Sequence, residues 1–547
     1  MTLCPTQVPK HLHCNVLSTF PNMFNYNRRQ FLQFTGGLTL ATLLDHSIAM
    51  SFSNSFLELR AWHPNGEPLD VKRLDHLYFL TMDDDPIPEP PRQVEVGKLL
   101  SQVPSIPFGI AIKMPVEGFG EVYLYADNQG KGYTPKDFPL DINLACASSR
   151  IYRVRQFIEI GKKQGIDFPK TIINRLEQSQ IYLKNTQNIS NITEKVKLCN
   201  DSLRESLWAG EEAVFAQAKQ LIKKQSKRPN FLFGGNSFNY LKGGEEYIRR
   251  FKELFNLATV PFYWSTFEAQ QNQKNFAEIE QIVKPLNQVK ITVKGHPLVW
   301  FHEAGIPVWA ENKSFAEIRQ LSYERVIEIT KYYGDQIPYY DIINEAHGIS
   351  WANRLNYSFE QLLDLTKVAS QASRIGNPQV NRIINNCCLW GENVSYAKPP
   401  QQTPYQYLKS CIAAEIPFEI IGLQLYYPDQ DMLEINRLLE KYSQLGKTIH
   451  ITELGVSSAS KIDQDSYLKE TRGLWHEPWN ETVQADWIEQ FYTLCYSKPY
   501  IKAISWWDLA DIGNFWPHGG LLNKDLTPKE SFYRLKNFIQ KSQDSFL

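Results

Sequence analysis

The chain has 547 residues, enough for two to four domains and a large core that needs neither disulfides nor metals. Its 58 Lys plus Arg balance 59 Asp plus Glu, so a net charge of -1 offers no field for a polyanion or an acidic membrane, and nucleic acid is excluded as a partner. Aromatic content is 13%, with 13 Trp and 27 Tyr, which suits sugar stacking as well as it suits a core.

At the N-terminus, Asn27-Arg28-Arg29-Gln30-Phe31-Leu32-Gln33 precedes a modestly apolar stretch to Leu44 and small residues at Ser47 and Ala49. Paired arginines before a short apolar segment and a small-x-small site read as a twin-arginine-like leader over residues 1–49. The alternative is an amphipathic N-terminal helix, and the start codon is Met1 or Met23. The apolar run is too short for a stable membrane anchor, so a periplasmic or extracellular location is expected.

Residues 52–135 alternate in strand fashion: 56–62, 77–80, 93–96, 108–112 and 121–125, separated by Asn65-Gly66 and a Pro-rich stretch from Pro86 to Pro91. This predicts a small β-sandwich, either carbohydrate-binding or purely structural. Over 136–228 the period turns helical, as in Arg150 to Ile160 and Leu203 to Phe215, with a polar loop from Asn185 to Thr193. That segment reads as a helical connector.

From residue 229 to 541 a β-then-α rhythm predicts strands at 231–233, 258–260, 289–293, 337–343, 382–384, 420–425, 448–452 and 501–506. Ser314-Phe315-Ala316-Glu317 and Ser358-Phe359-Glu360-Gln361 are capping-box helix starts between them. Eight such units argue for a closed (β/α)₈ barrel of the α/β class, and no glycine-rich phosphate loop follows the first strand. Cys146, Cys199, Cys387, Cys388, Cys411 and Cys495 have no ligand spacing, so no metal or other cofactor is expected. Cys387 and Cys388 are read as structural, pointing to opposite sides of a strand.

Two carboxylates stand at strand ends, Glu345 after Tyr339-Tyr340-Asp341-Ile342-Ile343-Asn344 and Glu453 after Thr448-Ile449-His450-Ile451-Thr452. Taken singly, each is as well read as a solvated loop acid or a first-turn acid of the next helix. Together, at the C-terminal ends of barrel strands, they are the minimal pair for cleaving a glycosidic bond. Other strand ends carry Lys294-Gly295-His296-Pro297-Leu298-Val299-Trp300, Gly422-Leu423-Gln424 and Ser505-Trp506-Trp507-Asp508, and Gly520 to Lys529 follows.

In their order and strand positions, these strings make residues 229 to 539 resemble family 10 glycoside hydrolases, the endo-1,4-β-xylanase family. The resemblance implies Glu345 as general acid and base, Glu453 as nucleophile of a retaining double displacement, and Asn344 as donor to the sugar's 2-hydroxyl. His296, Trp300, Gln424, Tyr426 and Trp507 are the implied substrate-binding residues. A raised pKa at Glu345 is expected from the Glu453 carboxylate and an apolar wall.

The chain departs from the family's pattern in four places. The stretch Thr259-Val260-Pro261-Phe262-Tyr263-Trp264 lacks the usual Glu-Asn pair and Lys that hold the non-reducing side of the glycan. Tyr426 stands for a His and Gly455 for an Asp, while Phe301 displaces His302 from Trp300. The implied function is a monomeric, exported hydrolase of a β-1,4-linked polysaccharide, xylan first. The alternatives are another β-glycan, or a catalytically lapsed glycan-binding protein.

Overall fold

The computed structural model describes residues 56–88, 90–426 and 429–543. The twin-arginine-like segment lies outside the described residues. Eight parallel strands close into a barrel: β8 (Leu232–Asn236), β9 (Leu257–Pro261), β10 (Thr292–His296), β11 (Tyr339–Asn344), β12 (Asn381–Asn386), β13 (Ile420–Leu425), β14 (Thr448–Leu454) and β15 (Ile501–Trp506). The expected (β/α)₈ architecture is therefore present. Strands of such a barrel are covered on both faces and read as unbroken apolar runs. Ile420 to Leu425 is buried throughout. Both expected capping boxes form, at Ser314 and Ser358.

One strand differs in position. The sequence predicts the third strand at 289–293, yet β10 begins at Thr292. Val289 caps the preceding helix and is 41% exposed, and Lys290 takes a left-handed φ of 59°. The β-branched residue ends a helix, and the strand runs on through Lys294 to His296.

Ahead of the barrel lie two small sheets. One has the order β3-β4-β1-β7, built from β1 (Phe56–Arg60), β3 (Arg92–Glu95), β4 (Lys98–Gln102) and β7 (Leu140–Asp141). The other is β2-β5-β6, from β2 (Tyr78–Leu80), β5 (Gly109–Val116) and β6 (Gly120–Ala126). β4, unanticipated, is the return arm of a hairpin whose turn is Val96-Gly97, and the glycine supplies a φ of 73°. Leu57, Leu59, Leu99, Ile110, Ile112 and Val122 from both sheets share a core with Ala145 and Leu207 of the helices Ile142–Lys163 and Ile192–Lys224.

Because side chains alternate across a strand, the second sheet's other face carries Tyr78, Tyr123 and Tyr125. This row packs on barrel loops. The Tyr78 hydroxyl donates to Glu392 at 2.9 Å, and the Tyr125 hydroxyl to Gln430 at 3.1 Å. The Tyr123 N–H donates to the Asp429 carbonyl at 3.0 Å, and the Lys113 ammonium reaches the Asp429 carboxylate at 2.7 Å.

The helices are fastened to the barrel by charge. Arg150 grips both Asp431 oxygens at 2.9 Å and Glu434 at 3.2 Å, and Arg153 bonds Glu434 at 2.7 Å and Asp127 at 2.8 Å. Arg150 is 4% exposed and Asp431 is fully buried. Gly210 lets the guanidinium pass, since a Cβ there would stand 2.4 Å from its Nη2. Removing one partner of such a pair strands buried charge. Arg150→Leu is expected to lower unfolding free energy by about 3–5 kcal/mol. Urea titration at neutral pH checks this, and a loss below about 1 kcal/mol would contradict it.

Candidate active site

The residues expected to be catalytic or substrate-binding stand at or just beyond the C-terminal ends of barrel strands. Glu345 follows β11 directly, and its backbone is left-handed, with φ 55°. A side chain there costs about 1–3 kcal/mol, so its surroundings must hold it. The Glu345 N–H donates to the Asn385 carbonyl at 2.9 Å. Its carboxyl accepts from the Trp300 indole and from the Gln424 amide, each at 2.9 Å. Glu453, in β14, accepts from Asn385 Nδ2 at 3.0 Å and from the Tyr426 hydroxyl at 3.2 Å. A register shift between Leu423 and Gln424 sets Gln424 opposite Glu453 and turns both into the cleft.

Asn344 Oδ1 accepts from Asn385 at 2.8 Å and from Gln424 at 3.3 Å. With its oxygen so occupied, the Asn344 side chain keeps Nδ2 as a donor. His296 Nδ1 lies 2.7 Å from Asp341, which also takes the Lys294 ammonium at 2.8 Å. Burial alone would raise the Asp341 carboxyl, but Lys294 and His296 hold it below its ordinary value. The ionised Asp341 can only accept, so His296 donates from Nδ1 and turns Nε2 toward Glu453, 3.9 Å away.

Glu345 and Glu453 are 5% and 6% exposed, and both are pushed up to about 7. Burial is the main cause in each. At Glu345 it is opposed by the donors Gln424, Trp300, Cys387 and Asn344. At Glu453 it is opposed by His296 and Lys294 and reinforced by Glu345. Two such groups share one proton before either is fully ionised, and the cationic side of the cleft favours the charge on Glu453.

Trp507 is 4% exposed and meets His296 at 5.4 Å between ring centroids. The displaced His302 still stacks on Trp300, at 4.3 Å and 16°, and burial pushes it down to about 3, leaving it neutral. Where the sequence shows Tyr426 and Gly455, the Tyr426 ring stacks on Trp516 at 5.4 Å and 12°, with Gly455 against both.

Cys387 and Cys388 do not flank a strand. β12 ends at Asn386, and Cys388 has φ 57°, so both thiols turn into one buried cluster with Ile349 and Ala352. Sequence reasoning missed Asn385, which links Asn344 to Glu453. Its signal was available in the Asn385-Asn386 pair ending the fifth strand. Among the described residues, no group of His, Cys, Asp or Glu is arranged to hold a metal ion.

A family model described as "Glycosyl hydrolase family 10" matches residues 223–538. An "Endo-1,4-beta-xylanase B" of Neocallimastix patriciarum is 23% identical over 290 residues, 51% of this chain but only 31% of that protein's length. An "Endo-1,4-beta-xylanase" of Geobacillus stearothermophilus is 26% identical over 272 residues, 45% of this chain and 77% of that one. Among solved structures, xylanase 10B from Thermotoga petrophila in complex with xylobiose is 20% identical, with TM-score 0.46, covering 60% of this chain and 97% of that one.

The raised carboxyls have a stability consequence. A carboxyl that titrates at about 7 when folded and near 4.5 when unfolded contributes its stability below pH 4.5 and loses it as pH rises through 7. Glu345→Gln is therefore expected to be more stable than the unaltered chain by about 1–3 kcal/mol at pH 8, and equal to it at pH 4. Urea midpoints at the two pH values measure this, and a gap independent of pH would refute it.

Proposed function

Because the chain belongs to glycosyl hydrolase family 10, we propose that it is a retaining glycosidase that cleaves internal β-1,4 linkages of a polysaccharide, with xylan the first substrate to try. The observation that carries this reading is the pairing of Glu345 and Glu453, two desolvated carboxyls joined through Gln424, Asn344 and Asn385. In the proposed sequence, protonated Glu345 gives its proton to the glycosidic oxygen as the Glu453 carboxylate attacks the anomeric carbon. The bond to the leaving sugar breaks and a glycosyl ester forms on Glu453.

That ester no longer carries the Glu453 charge, so Glu345 ionises more readily. It then draws a proton from water, which attacks the anomeric carbon and releases Glu453. In this reading Asn344 donates from Nδ2 to the 2-hydroxyl of the sugar on Glu453, its Oδ1 being taken by Asn385 and Gln424. Tyr426 and His296 orient the nucleophile. Export is part of the proposal and rests on Arg28-Arg29 and the apolar stretch after them. No helix of the described residues is long and apolar enough to cross a membrane. A different β-glycan is the second reading, supported by Pro261-Phe262-Tyr263 at the end of β9.

Reducing-sugar release from xylans, β-glucans and mannans tests the reading. Glu345→Ala should lower kcat by about 10²–10⁴-fold and Glu453→Ala at least as much. If the unaltered protein cleaves none of the panel, the hydrolase reading is wrong. Cleavage of glucan alone would displace only xylan. Replacing Arg28 and Arg29 by Lys should retain the protein inside the cell, and undiminished export in a fractionation assay would count against the leader.

A further inference from the structure

The residues beyond β9 line the site with aromatic rings. Tyr263 meets His296 at 5.8 Å, Trp300 at 5.8 Å and Phe238 at 5.9 Å between ring centroids. Phe238 continues to Trp507 at 5.5 Å. These rings form one wall, with His296 at its base. Trp300 is fixed by its bond to Glu345, and His296 by Asp341, so Tyr263 is bounded by two anchored side chains.

The Tyr263 side chain is half-buried, and its hydroxyl has no hydrogen-bond partner among the described residues. A phenol open to the cleft is free to bond a hydroxyl of whatever enters it. The hydroxyl lies within the electrostatic reach of Glu453, Glu345 and Asp341. Burial, reinforced by those groups, pushes the phenol well above its ordinary value, so at neutral pH it is protonated and a donor. Tyr263 packs on His296, and His296 faces Glu453, so the phenol borders the place of the sugar that Glu453 attacks.

We infer that Tyr263 determines specificity: its hydroxyl bonds a hydroxyl of the sugar transferred to Glu453, and the aromatic wall beside it admits an uncharged sugar there. This rests on the hydrolase reading for the identity of the transferred sugar. The selection against charge follows from the groups at hand. Lys294 is buried against Asp341, and His302 is neutral. Neither is left to answer a carboxylate on the substrate, which would instead meet the charge held on Glu453.

The test is calorimetric titration of the full chain carrying Glu453→Gln, which binds without turnover, using neutral xylo- and cello-oligosaccharides. Adding Tyr263→Phe, which keeps the ring and removes only the hydroxyl, should weaken the better ligand by about tenfold without moving Tm. A version of that ligand with a carboxylate-bearing branch on the sugar held against Glu453 should bind a Glu345→Gln chain, which keeps the Glu453 carboxylate, at least tenfold more weakly than the unbranched ligand. Unchanged affinity in Tyr263→Phe overturns the hydroxyl contact, and equal binding of the branched ligand overturns the charge selection. If the oligosaccharides bind in a Tyr263-dependent way but the unaltered chain cleaves no glycan, the hydrolase reading fails and this inference stands. If none binds, both fall.

Discussion

Placing two carboxyl groups in one dry cleft is the constraint on which this site depends. A buried carboxylate is costly unless its oxygens are met by donors, and a second one beside it is costlier still. The surrounding residues answer that cost in two different ways. Around Glu345 the donors are neutral: an indole and an amide, with a thiol close by. Around Glu453 the neutral donors are joined by His296 and, behind it, Lys294. The two acids thus stand in unlike fields, and the asymmetry comes from β10, which lies next to one of their strands and opposite the other in the barrel.

Much of this was legible because barrel strands are buried on both faces. The runs at 420–425 and 501–506 have the same bounds in the sequence reading and in the structure. Strand ends could then be read as positions facing the cleft, which brought Glu345, Glu453, Asn344, Gln424 and His296 into view. What stayed hidden depends on backbone irregularity. Gln424 meets Glu453 because the register shifts between Leu423 and Gln424, and Glu345 turns inward because its φ is 55°. No periodicity encodes a bulge or a left-handed residue. Asn385 and Tyr263 were missed for a related reason: their importance lies in contacts with other strands, which a linear string does not show. The two cysteines at 387 and 388 failed the alternation rule because the strand had already ended.

The elements ahead of the barrel contribute by holding loops. The tyrosine row of β2 and β6 would suit sugar stacking if it were open, but it lies against residues 391–392 and 429–430. Those segments follow β12 and β13, the strands that carry Asn385 and Gln424. Tyr426, the donor to Glu453, stands three residues before Asp429, to which Lys113 and the Tyr123 N–H are bonded. The sheet's position is thereby tied to the segment whose Tyr426 bonds one Glu453 oxygen.

Domains joined by simple linkers can be exchanged, duplicated or lost in evolution with little harm to their neighbours. The Arg150 clamp removes that freedom here. Asp431 and Glu434 belong to the barrel, whereas Arg150 and Arg153, which bond them, come from a helix more than 280 positions earlier in the chain. A recombination event that kept the barrel and discarded the helices would strip Asp431 of its guanidinium partner and leave Glu434 with Arg437 alone. Barrel and helices are thus coupled through these pairs, and a laboratory attempt to borrow the barrel alone would begin by redesigning the surface around positions 431 and 434.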